Sequence, residues 1–124
     1  MSKSEKIKSF NEVLESLLQQ FSPIIGTSYH YYFKQYVRAN AIDPIKYFWH
    51  YAEDLEDKIL KRDETYFTNT ENHKEKADGV EGSFDEIIRL KGIYEKLDGP
   101  SIDALWDYTQ ALFVLAKEYN NMKK

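Results

Sequence analysis

The chain has 124 residues, 42% of them hydrophobic, which suits one domain with its own hydrophobic core. Cysteine is absent, which excludes disulfides, thiolate metal sites and a cysteine nucleophile; five Gly and three Pro are too few for a turn-rich β architecture. Net charge is −4, with the excess of acids in residues 51–124 and no dense basic run, so a nucleic-acid backbone is not an expected partner.

Residues Met1–Lys6 lack the apolar run of a secretory leader, and no stretch reaches the roughly 20 apolar residues of a membrane span. The expectation is a soluble intracellular protein. A first helix is predicted over about 5–20, with Ser4 as its cap. Ile7, Phe10, Leu14, Leu17, Leu18 and Phe21 share one face at helical spacing. Ser22-Pro23 opens a second helix over about 23–40, because Ser caps and Pro suits the first turn. Tyr29, Tyr32, Phe33, Tyr36 and Val37 form its expected inner face, while Tyr31, Lys34 and Arg38 point away.

Asp43-Pro44 repeats the start signal and opens a third helix over about 44–62. Ile45, Phe48, Trp49, Ala52, Leu55 and Ile59 make its buried stripe; Tyr47, His50, Tyr51, Asp54 and Lys58 lie opposite. Residues 68–82 are polar, contain two Gly and lack periodicity, so a long loop is expected there. Ser83-Phe84-Asp85-Glu86 is a capping-box pattern that opens a fourth helix over 84–97, with Asp98-Gly99-Pro100 as its stop. The fifth helix is expected over about 102–120. Its apolar face is wide, with Ile102, Leu105, Trp106, Thr109, Leu112, Phe113, Leu115, Ala116 and Tyr119, as befits a central helix. The predicted fold is all-α: a compact bundle of four to five helices. Phe10, Leu14, Leu17, Phe33, Phe48, Leu55, Ile87, Leu105, Leu112 and Phe113 are its expected core.

No motif for catalysis emerges. His30, His50 and His73 are dispersed, and His50 with Glu53 and Asp54 falls short of the three or four converging ligands of a metal site. The run Glu53, Asp54, Glu56, Asp57 is interleaved with Lys58, Lys61 and Arg62, as on a solvated helix face. Asp78 to Glu86 fails as a calcium loop, because neither Gly takes the sixth position. No cofactor or metal is expected.

The informative surplus is aromatic: ten Tyr, seven Phe and two Trp. Most belong to the core, but Tyr31, Tyr47 and Tyr51 do not fit the inner faces, and His50 sits beside the last two. Exposed aromatic clusters mark partner surfaces. The expected function is therefore a non-enzymatic protein–protein interaction module, with Tyr31, Tyr47, His50 and Tyr51 as partner-binding residues. A homodimer is the simplest partner. The competing class is a carboxylate- or metal-dependent enzyme.

Three segments carry a likeness: Asp43-Pro44-Ile45-Lys46-Tyr47-Phe48-Trp49-His50-Tyr51, Ile59-Leu60-Lys61-Arg62-Asp63-Glu64-Thr65-Tyr66-Phe67, and Leu105 through Ala116. In order and residue type they resemble small all-α proteins of nucleocytoplasmic large DNA viruses, over most of residues 14–119. The resemblance implies work in the cytoplasm or nucleus of an infected cell, or as a structural component of the virion, and it implies no particular activity.

Overall fold

A computed structural model describes residues 2–64 and 92–122. The described residues are helical with no strand, so the chain is all-α as predicted. The helices are α1 (Lys3–Gln20), α2 (Ser22–Ile25), α3 (Ser28–Ala39), α4 (Asp43–Ala52), α5 (Glu56–Leu60) and α6 (Gly99–Met122). Among them none is long and apolar enough to cross a membrane. The expected loop 68–82, His73, Ile87 and most of the helix expected over 84–97 lie outside the described residues. Residues 92–95 at its end are helical.

α1 begins two residues earlier than expected. Ser2, not Ser4, is the cap, and its hydroxyl accepts from the Glu5 amide at 3.2 Å while the Ser2 amide donates to the Glu5 carboxylate at 3.2 Å. This reciprocal pair satisfies two amides that the helix cannot.

Two predicted helices are each broken in two. The helix expected over 23–40 divides at Gly26, whose φ of 98° leaves the helical region and closes α2 with a bond from its amide to Ser22. The helix expected over 44–62 divides between Ala52 and Glu56. There the Leu55 amide reaches back only three residues, to the Ala52 carbonyl at 2.9 Å. Neither Gly nor Pro marks this break. The charge distribution explains it. An uninterrupted helix would hold four carboxylates mid-span. The break places Glu56 and Asp57 in the first turn of α5, where free amides favour negative charge. The apolar stripe continues in phase across the gap, with Ala52 and Ile59 both fully buried.

α6 is the hub, packed on α1, α4 and α5. It starts earlier than expected. Asp98-Gly99-Pro100, read as a stop, also opens this helix: the preceding helical residues 92–95 end before it and α6 begins at Gly99. The Asp98 carboxylate accepts from the Ser101 amide at 2.8 Å, and Gly99 and Pro100 belong to the first turn. Hydrogen bonds from the Ser101 side chain and from its amide hold the Asp98 carboxyl below its ordinary value. Trp106, Thr109, Leu112, Phe113, Ala116 and Tyr119 are buried along the helix. Thr109 returns its hydroxyl to the Leu105 carbonyl at 2.8 Å, so its buried polar group is satisfied within the helix.

Among the described residues two clusters form the core. Phe10, Ile45, Leu112, Ala116 and Tyr119 make one, with Leu14 and Leu17 packed against it. Ala52, Ile59, Trp106 and Phe113 make the other, supported by Leu55. Phe48 and Trp49 touch both: Phe48 meets Phe10 edge-on at 5.5 Å, and Trp49 lies 5.6 Å from Phe113. Of the expected core residues, Phe10, Leu112 and Phe113 are fully enclosed. Leu14, Leu17, Phe33, Phe48, Leu55 and Leu105 are only half-buried.

Polar ties cross between helices. Lys6, 91% buried by its surroundings, reaches Glu118 of α6 at 2.9 Å. Glu56 finds Lys117 of α6. Arg62, at φ 55°, holds Asp107 and donates to the Gln110 side chain at 3.1 Å. Gln110 in turn donates to the carbonyls of Ile59 at 3.1 Å and Leu60 at 3.3 Å.

Candidate functional site: an aromatic ridge on α3 and α4

α3 has the pattern of a core helix and the environment of a surface helix. None of its residues is buried. Tyr32 and Tyr36, assigned from the sequence to the inner face, are 67% and 41% exposed. The correction has a chemical basis. The stripe on α3 is mostly Tyr, whose hydroxyl needs a polar partner or water, so it gains less from a dry interior than Leu or Ile would. Phe33 and Val37 turn inward instead and are half-buried.

The exposed rings form a connected series. Tyr31, itself 60% exposed, meets Tyr32 edge to face at 5.5 Å. Tyr36 lies one turn beyond Tyr32 and donates its hydroxyl to the Asp43 carboxylate, in the first turn of α4, at 2.7 Å. Asp43 thereby ties the two helices together. That hydrogen bond is the main cause of a Tyr36 hydroxyl pushed up to about 12; desolvation and the charges of Asp43 and Tyr47 add to it. Tyr47, on the next turn of α4, is 55% exposed and close enough to Tyr36 to act on it electrostatically. A groove of about 650 Å³ follows α3 beneath Tyr32 and Tyr36, floored by Leu14 and Leu18 of α1.

His50 and Tyr51 make their own edge-to-face pair at 5.2 Å, farther along α4. His50 is exposed and Tyr51 half-buried. The four residues expected at a partner surface therefore stand in two places. Tyr31 and Tyr47 bracket the ridge, and His50 and Tyr51 follow it. Sequence reasoning missed Tyr32 and Tyr36, and the signal was present in the ring chemistry of the α3 stripe.

The other described histidine makes an ordinary contact. His30 Nε2 lies 3.0 Å from Glu15, which Lys34 also approaches at 3.9 Å. Among the described residues no group of three His, Asp or Glu converges as a metal site would require.

Comparison with protein families, with curated proteins and with solved structures finds no match to this chain.

Proposed function

We propose that this chain is a non-enzymatic helical module that binds another protein through the ridge Tyr31, Tyr32, Tyr36 and Tyr47, with His50 and Tyr51 extending the same surface along α4. One observation carries the reading: four large rings stand exposed side by side, three on α3, none of whose residues is buried, and one on α4, whose Ile45 and Ala52 face the core. Tyr offers wide contact area at low side-chain entropy cost, and a central Tyr in an interface is worth about 2 kcal/mol or more. The whole chain, on this reading, closes as a bundle around α6 and leaves the α3–α4 face for a partner. A second copy of the chain is the simplest such partner, because a two-fold axis lets one patch serve both subunits.

The test compares wild type with a Tyr31→Ala/Tyr32→Ala/Tyr47→Ala variant. Sedimentation velocity reads self-association, and affinity capture from the native cell reads other partners. The variant is expected to keep its helical circular dichroism and lose both. Unchanged self-association together with an unchanged set of captured proteins would exclude the ridge.

A further inference from the structure

A second groove, of about 580 Å³, runs along the other flank of α3, between α1 and the turn into α4. Its floor is apolar: Ile7 from α1, Phe33 and Val37 from α3, and Ile42 from the turn, itself 43% exposed. Asn11 lines the same groove. This side chain is only 9% exposed; its Nδ2 donates to the Ala41 carbonyl at 2.9 Å, and its Oδ1 is buried without a hydrogen-bond partner. Exchanging the two ends of the amide does not help, because the carbonyl oxygen would then face the Ala41 oxygen. Native proteins keep few such orphaned acceptors, and each calls for a reason.

The rim supplies charge. Lys8, Glu12 and Glu15 line the α1 side and Lys34 and Arg38 the α3 side, three cations to two carboxylates in a chain of net charge −4. Glu15 is occupied by His30 and Lys34. Lys8 and Arg38 form no ion pair among the described residues. Along α1 the groove extends from Ser4 to Glu15, about 16 Å at the rise of a helix, or three turns of an occupant.

We propose that this groove receives an acidic amphipathic helix of a partner protein. The apolar face of that helix, with side chains at i, i+3 and i+7, covers Ile7, Phe33, Val37 and Ile42. Its carboxylates meet Lys8 and Arg38. One Ser, Thr, Asn or Gln within its apolar face donates to Asn11 Oδ1 after a small turn of the amide. The proposal rests on the reading of the chain as a protein-binding module, but it uses the opposite flank of α3 from Tyr32 and Tyr36.

The experiment is a selection from a phage-displayed library of helical 15-residue peptides on the full chain, followed by affinities of the selected peptides for variants. The expected peptides are acidic, with an apolar stripe interrupted by one hydroxyl or amide. Arg38→Glu and Lys8→Glu, both at exposed positions, should each weaken binding about tenfold, and Ile42→Asp should abolish it. Replacing the peptide's hydroxyl or amide residue by Ala should lose about five- to tenfold against wild type, as one hydrogen bond predicts, and nothing against Asn11→Leu. Should Asn11→Leu unfold, the peptide-side loss and Ile42→Asp still decide. A selection that yields no binder, or only basic ones, overturns the proposal. So does binding that survives Ile42→Asp. If that surviving binding is lost in Tyr32→Ala/Tyr36→Ala, the aromatic ridge stands and the groove falls; if it survives there too, both fall.

Discussion

α6 and α3 have the same kind of sequence pattern and opposite fates. α6 buries six side chains, while α3 buries none. The difference lies in what fills the stripe. α6 presents Trp, Leu, Phe, Ala and a single Tyr, with a Thr whose hydroxyl is satisfied by its own helix. α3 presents Tyr29, Tyr32 and Tyr36, three rings that each carry a hydroxyl. Periodicity shows that a helix has a face; the chemistry of that face decides whether it is suited to a dry neighbour or to a wet, exchangeable one.

The contrast breaks or sharpens on mutation. Phe113→Ala empties a site 2% exposed and beside Trp49, and should cost about 3–5 kcal/mol in urea unfolding. Tyr32→Ala should cost no more than about 0.5 kcal/mol, as exposed substitutions usually do. Equal costs would erase the distinction between the two helices. Next in size is Glu118→Gln. It leaves the Lys6 ammonium, enclosed by α1 and its neighbours, without its carboxylate and should cost about 1–2 kcal/mol, reduced because Glu118 itself is half exposed.

A smaller effect belongs to the α3–α4 tie. The Tyr36 hydroxyl is raised in the folded chain from 10.0 to about 12. Its contribution to stability is therefore complete below pH 10 and disappears as pH rises through about 12. NMR of the Tyr36 ring should show the late titration, and Asp43→Asn should bring its midpoint down; a midpoint near 10 in wild type would deny the bond to Asp43. The smallest effect is at the helix starts. Glu5 and Asp98 are both held below their ordinary values, Glu5 by bonds from Ser2 and Asp98 by bonds from Ser101. Their contribution is present above 4.5 and 3.8 respectively and is lost as pH falls below those values. Amide exchange at the first turns of α1 and α6 should quicken there, and Asp98→Asn should flatten the dependence at α6 alone.

Much of this architecture is legible in residue order. The apolar face of α6 was predicted in full at its buried positions, and Pro44 marked the start of α4 to within one residue. Tyr47 and His50 were placed away from the core by the helical period, and both are exposed. Two kinds of feature escaped. The break before α5 preserves the phase of the stripe, so a periodicity argument passes over it. The role of Asp98 depends on which neighbouring helix claims its carboxylate, and the pattern Asp-Gly-Pro fits the end of one helix as well as the start of another. The ridge escaped in part for a third reason. Tyr counts as hydrophobic in any amphipathic pattern, yet it stays outside when its hydroxyl finds a surface partner such as Asp43.

α5 has only five residues, too few to hold together in water unaided. Its last carbonyls are satisfied by Gln110, about fifty positions along the chain, and Arg62 steadies that same side chain. The segment can therefore turn helical only once α6 is in place to finish it. In kinetic terms α5 is a late element: substitutions at Gln110 should speed unfolding while leaving the folding rate nearly unchanged, whereas substitutions where α1 meets α6 slow the folding step itself.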